Sequence, residues 1–172
     1  MTCRHDGRHG SSARPRVVDR VYVLDTNIVS ELSPEKSAPN TELVSWLRRN
    51  GERCYLSAVT LTEIAYGVGR LRQRGAVAKA RRLGAWLDEM VGFHSEHIID
   101  VDTDVALRAG VLLADARASG VEPDIEDAWI AASAQQRRMT VLTFNDADFR
   151  PMGVIVLNPR VALPPDSPPT VS

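Results

Sequence analysis

The side chains with chemistry to offer are Asp25, Glu63, Asp124, Asp127, Asn145, Asp146 and Asp148. Asp25 directly follows the apolar run Val21-Tyr22-Val23-Leu24. Glu63 comes shortly after Cys54-Tyr55-Leu56, Asp124 and Asp127 open a helix ahead of Val141-Leu142-Thr143, and Asn145, Asp146 and Asp148 follow that run. In a parallel α/β sheet all these positions fall at the carboxyl ends of strands, the edge where open sheets bind ligands. Carboxylates gathered there repel one another, by about 4 kcal/mol for a pair 4 Å apart at an effective dielectric of 20. With no histidine or cysteine beside them, an all-oxygen cluster selects a hard cation, Mg²⁺ with Mn²⁺ as a substitute. Such an ion lowers the pKa of a bound water and braces a phosphoryl oxygen, which is the chemistry of phosphodiester hydrolysis. The same repulsion predicts that Asp25→Asn raises the melting temperature of the metal-free protein at neutral pH.

Each acid also has a purely local reading. Asp25 sits where a helix N-cap would stand before Ile28-Val29. Thr60-Leu61-Thr62-Glu63 matches a capping box, in which the glutamate returns to the cap's backbone N–H. Asp124 and Asp127 suit a helix N-terminus through the dipole, and Asp148 suits a turn. What local capping does not explain is why these residues should converge on one edge.

The elements that must position them follow from periodicity and punctuation. Val21 to Leu24 reads as a central strand buried on both faces, because it is apolar without alternation. Pro34 and Pro39 mark a loop, and Asn40 caps a helix carrying Leu43, Trp46 and Leu47 that stops at Asn50-Gly51. Cys54 to Leu56 is a second strand. Thr60 leads a helix striped by Leu61, Ile64, Ala65, Val68 and Leu71 and closed by Gly75, and a further helix spans Ala76 to Val91 with Gly92 as its stop. Ile98 to Val101 is a third strand, after which Asp102 caps a helix reaching Gly120. The small residues of Asp124 to Arg138 let that helix lie close against the sheet. Val141 to Thr143 is a fourth strand, Phe144 to Met152 a loop, and Val154 to Leu157 a fifth strand. This order predicts the α/β class: a three-layer α/β/α sandwich with a mostly parallel five-stranded sheet.

Length and composition agree with one domain, at 172 residues with 44% hydrophobic and 25% charged residues. That domain is expected over 21–158. Residues 1–20, with five arginines and no apolar h-region, read as a disordered extension and not a secretory signal. Residues 159–172 read as a proline-rich tail. No apolar run approaches the ~20 residues that cross a bilayer, so membrane spanning is excluded. The formal net charge of −1 excludes nucleic-acid binding by bulk charge and leaves it to local patches, such as the arginines around Arg70 to Arg82. Cys3 and Cys54 make no disulfide frame, which fits a reducing cytoplasm.

Other constellations fail on inspection. Gly67-Val68-Gly69 follows no strand and so makes no phosphate loop. Asp100 to Asp104 begins like a calcium loop, but Val105 stands where glycine is required and Val111 where the terminal glutamate is required. His94 and His97 have no thiol partners for zinc, and Trp46, Trp86 and Trp129 lie on apolar helix faces.

Four segments together resemble the PIN-domain proteins of the VapC toxin type, particularly the FitB-like branch. They are Leu24-Asp25-Thr26-Asn27, Leu56 to Thr60 through Glu63, Glu126-Asp127-Ala128-Trp129 through Ala134, and Thr143-Phe144-Asn145-Asp146-Ala147-Asp148-Phe149. The resemblance covers about 21–160 and implies a PIN-like fold. It also implies a Mg²⁺-dependent endoribonuclease, the toxin of a bacterial type II toxin–antitoxin pair, cytoplasmic, homodimeric and silenced by an antitoxin protein. Carried over by position, the family's acids fall on Asp25, Glu63 and Asp127 as metal ligands. Asp148 joins them as a fourth catalytic acid, since Asn145 stands where some members carry aspartate. Two readings stand beside this one: a catalytically inactive interaction module on the same fold, and a phosphoacceptor protein using Asp25. The second would need an aspartate where Asn27 stands, or a lysine at a late strand end.

Overall fold

The computed structural model describes residues 20–166. Its centre is strand β1, Tyr22–Leu24, whose side chains are all buried. β1 pairs in parallel with β2, Cys54–Ser57, on one side and with β4, Thr140–Leu142, on the other. The register sets Leu24 beside both Leu56 and Leu142, so β1 and β4 end level and β2 runs one residue further. β3, Ile98–Ile99, and β5, Val156–Leu157, form the edges, giving the order β3-β2-β1-β4-β5 with every pairing parallel. The sheet expected to be mostly parallel is therefore wholly so.

Alternation along β1 divides the core in two. Val23, with Val141 and Ile99, packs on α5, Thr103–Ala118, and α6, Ile125–Arg137. Tyr22 and Leu24, with Leu56 and Leu142, pack on the other face against α1, Thr26–Val29, and α2, Thr41–Arg49, joined by Ile64 of α3, Ala58–Gln73, and Met90 of α4, Val77–Phe93. Helices thus cover both faces, as the α/β/α expectation requires. The small residues of α6 serve as read from the sequence: Ala128, Ala131, Ala132, Ser133 and Ala134 are buried, and α6 packs closely on α5.

Three local expectations change. Helix α3 begins at Ala58, with Ser57 as its N-cap, so the capping box expected from Thr60 to Glu63 does not form. Thr60 is instead fully buried and its hydroxyl donates to the Leu24 carbonyl, tying α3 to β1. Helix α4 passes through Gly92 to Phe93, because a single glycine in a helix costs only about 1 kcal/mol. The segment 144–152, expected as a loop, coils into α7, Asp146–Phe149, and a 3-10 turn that bury Phe149 and Met152.

Beyond β5 the chain turns at Asn158, whose amide donates to the Phe144 carbonyl and to Asp146 Oδ1, both at 3.0 Å. Residues 159–166 of the proline-rich tail then run back as a strap with Pro159 and Pro164 buried. The strap ends where Asn50 Nδ2 donates to Asp166 Oδ1 at 2.9 Å and Arg53 donates to the Pro165 carbonyl. The extension expected over residues 1–20 lies outside the described residues, Arg20 excepted.

Candidate active site

Asp25 emerges from β1 at the carboxyl edge and is only 6% exposed. Its backbone continues the sheet, with its N–H on the Leu142 carbonyl, and its own carbonyl takes the Ile28 and Val29 N–H groups to start α1. The cap reading is thus correct for the backbone. The side chain does more than a cap requires. Oδ1 accepts from the Thr26 N–H at 2.6 Å, while Oδ2 accepts from Asn27 Nδ2 at 2.6 Å and from the Thr143 hydroxyl at 2.5 Å.

Thr143 and Asn27 are full participants in this lock. The Thr143 oxygen donates to Asp25 and accepts from the Asn145 N–H and from Asn27 Nδ2. Asn27 Oδ1 accepts from the Phe144 N–H at 3.1 Å. The polar groups after β1 and after β4 therefore interlock across the pair of strands. Burial pushes the Asp25 carboxyl above the ordinary carboxylate range despite these donors.

Glu63 lies in the second turn of α3, where its Oε2 accepts from the Thr26 hydroxyl at 2.5 Å. Its carboxyl is raised by burial and then by the charges of Asp25, Glu126 and Asp124. Asp127 lies in the first turn of α6 and Oδ2 accepts from the Asp124 N–H at 3.3 Å, as an N-terminal box partner would. Even so, Asp127 is pushed up to about 7, first by burial and next by the charge of Asp25, with Asp148 and Asp124 adding to it. Glu63 and Asp127, on α3 and α6, therefore both feel the charge of Asp25 at the end of β1. Asp148 joins them through its field on Asp127 and is held by the side chain of Asn145. Asp146 does not join. Arg150 at 2.7 Å and Asn158 bind it, and they hold its carboxyl below the usual range.

Sequence reasoning missed the orienting groups Thr26, Asn27 and Thr143. The available signal was position alone: polar side chains directly after two strands that turn out to be neighbours. It also missed Glu126, whose charge acts on Glu63. Glu63 and Glu126 border a groove of about 800 Å³ floored by Val59 and Val101 and flanked by Tyr66 and Trp129, with Asp25, Asp127 and Asp148 outside its lining.

The donor set suits a hard divalent cation: carboxylate oxygens in mutual repulsion, with no imidazole or thiolate among them. Among the described residues no trio of acid, histidine or cysteine side chains forms a ready cage. Mg²⁺ does not demand one, since it keeps several waters and takes one or two carboxylates plus substrate phosphate.

Comparison with known proteins points to one family. The PIN domain family matches residues 22–154. The VapC ribonuclease Y4jK of Sinorhizobium fredii is 30% identical over 142 residues, covering 81% of this chain and 97% of its own. The toxin FitB of Neisseria gonorrhoeae is 33% identical over 141 residues, covering 81% of this chain and 98% of its own. The crystal structure of FitAcB from Neisseria gonorrhoeae superposes with a TM-score of 0.71 at 32% identity, over 81% of this chain and 99% of that one.

Proposed function

Since the chain belongs to the PIN-domain family and its relatives include VapC- and FitB-type toxins, we propose that it is a divalent-metal-dependent endoribonuclease, the toxin of a toxin–antitoxin pair. The observation that carries this reading is that Glu63 and Asp127, from two separate helices, both feel the charge of Asp25, and that all three carboxyl pKa values are raised. A protein does not retain such a cluster for stability.

Asp25, Glu63 and Asp127 would hold Mg²⁺, with Mn²⁺ as a substitute. When bound, the ion lowers the pKa of a water and stabilises charge on the phosphoryl oxygens. The chain's own residues orient the ligands. Thr143, Asn27 and the Thr26 N–H fix the Asp25 carboxylate in one rotation, and the Thr26 hydroxyl fixes Glu63. Asp127, whose carboxyl is pushed up to about 7, must be deprotonated to act as a ligand. Asp148, steadied by Asn145, would orient the attacking water. The phosphoacceptor alternative is poorly served, because Asn27 stands where a second aspartate is needed and both lysines of the chain, Lys36 and Lys79, lie beside Glu31 and Glu35.

RNA is the proposed substrate by way of the VapC relative, and the proposed partners are an antitoxin and a second copy of the chain in a cytoplasmic setting. Among the described residues no helix is long and apolar enough to cross a membrane. The test is cleavage of single-stranded RNA with Mg²⁺ and with chelator. The parent should cut only with the ion, and Asp25→Ala and Asp127→Ala should each lose at least a hundredfold in rate while remaining folded. A folded parent that cuts no RNA in Mg²⁺ or Mn²⁺ but still binds an antitoxin would establish the interaction-module reading.

A further inference from the structure

A cluster of carboxylates repels the polyanion it is to cut, so something beside it must attract the strand. Of the cations close behind β1, β4 and β5, Lys36 is spent on Glu31 at 2.8 Å and Arg150 on Asp146 at 2.7 Å. For Arg160 the described residues offer no carboxylate within ion-pair distance. Its field reaches Glu31, but the Glu31 oxygens are already taken by Lys36 and by the Asn40 N–H. The Arg160 guanidinium lies instead over the ring of Phe144, 4.2 Å from the centroid.

That position is built. The Arg160 N–H donates to Asn158 Oδ1 at 3.0 Å, and the same Asn158 amide donates to the Phe144 carbonyl. The Phe144 N–H reaches Asn27 Oδ1, and Asn27 reaches Asp25. Two residues, Phe144 and Asn27, separate the guanidinium from the central acid. In the order β3-β2-β1-β4-β5, Glu63 follows β2 and Arg160 follows β5, so they flank Asp25 from opposite sides.

We propose that Arg160 binds a backbone phosphate of the RNA strand next to the cut bond, a role that rests on the nuclease reading above. A guanidinium matches phosphate oxygens bidentately, and stacking on Phe144 fixes its plane while leaving its N–H edges for the anion. No ion pair has to break first.

The test measures kcat, KM and the salt dependence of kcat/KM on single-stranded RNA in Mg²⁺ for the parent, Arg160→Gln and Arg160→Lys. Arg160→Gln should raise KM about fivefold, leave kcat within about twofold, and make the log–log salt slope shallower by about 0.7, the loss of one phosphate contact on a single strand. Arg160→Lys keeps the charge and should keep the slope. If Arg160→Gln has the parent's slope, or if Arg160→Lys loses as much slope as Arg160→Gln, the phosphate role is overturned and Arg160 only covers Phe144. A parent that cuts no RNA brings down the nuclease reading itself, an outcome distinct from either.

Discussion

Asp25 and Asp127 are both carboxylates with raised pKa values, yet replacing each by its amide has opposite consequences. Asp25 faces donors on every side, so Asp25→Asn turns an NH₂ toward the Asn27 amide or the Thr143 hydroxyl and leaves buried partners unsatisfied, at a cost of about 1–3 kcal/mol. The expectation that this substitution stabilises the metal-free protein is corrected accordingly, and it moves to Asp127. There an asparagine oxygen still accepts from the Asp124 N–H while the charge facing Asp25 disappears. The sign follows from linkage. The folded carboxyl of Asp127 titrates near 7 against 3.8 unfolded, so the folded state keeps a proton that the unfolded state has lost, and stability falls as pH rises between those values. In chelator, Asp127→Asn should therefore melt above the parent at pH 8 and level with it at pH 3.5. A gain that is equal at both pH values would show that repulsion is not the cause. Thr143→Val keeps a β-branched shape but removes the hydroxyl that locks Asp25; it should lower the cleavage rate at least tenfold while far-UV circular dichroism stays unchanged. Asp25 was legible in the sequence because a charge directly after an apolar run is conspicuous, and Glu63 and Asp127 because each is an acid near the start of a helix beside a strand. Thr26, Asn27 and Thr143 were not, because a hydroxyl or amide at a strand end looks like ordinary turn chemistry until the neighbouring strand is known.

Among the elements, those with a strong apolar stripe and a side-chain cap were readable almost to the residue. Asn40 for α2 and Asp102 for α5 cap as expected, because an Asx side chain before an apolar stripe has few competing uses. Thr60 misled because burial outbid the local motif: once Ser57 took the N–H of Val59, the Thr60 hydroxyl was free to reach the Leu24 carbonyl. The segment after β4 misled because Asn, Asp and Pro in succession suggest a loop, whereas Phe149 and Met152 required a helical turn to reach the core. One helix end carries a visible cost. Arg138 closes α6 in the left-handed region, at φ 55°, where a side chain is strained by roughly 1 kcal/mol. Arg138→Gly should thus raise the melting temperature by a few degrees without changing activity, as calorimetry beside a cleavage assay would show. A lower melting temperature would mean that the arginine side chain compensates for its backbone.

For the molecule as a whole, the strap over residues 159–166 joins the two ends of the sheet, from Asn158 at the carboxyl edge to Asn50 and Arg53 before β2. Ending the chain after residue 162 keeps Arg160 but removes the far anchor. It should lower the melting temperature by roughly 2–6 °C, for a loss of about 1–2 kcal/mol in a chain of this size, and leave kcat unchanged. A larger fall in kcat than in stability would place the strap in the site. The order of the strands has a further consequence, in time. The lock on Asp25 closes through a hydroxyl 118 positions away, and β1 lacks one of its two neighbours until β4 exists. At ~5–20 residues per second, the 118 positions between Asp25 and Thr143 take roughly 6–24 s to synthesise. On the nuclease reading, the protein is made in the company of its messenger and of ribosomal RNA. Because the central strand gains its second neighbour only with β4, a nascent chain that has released Asp25 should stay inactive until Thr143 has followed it.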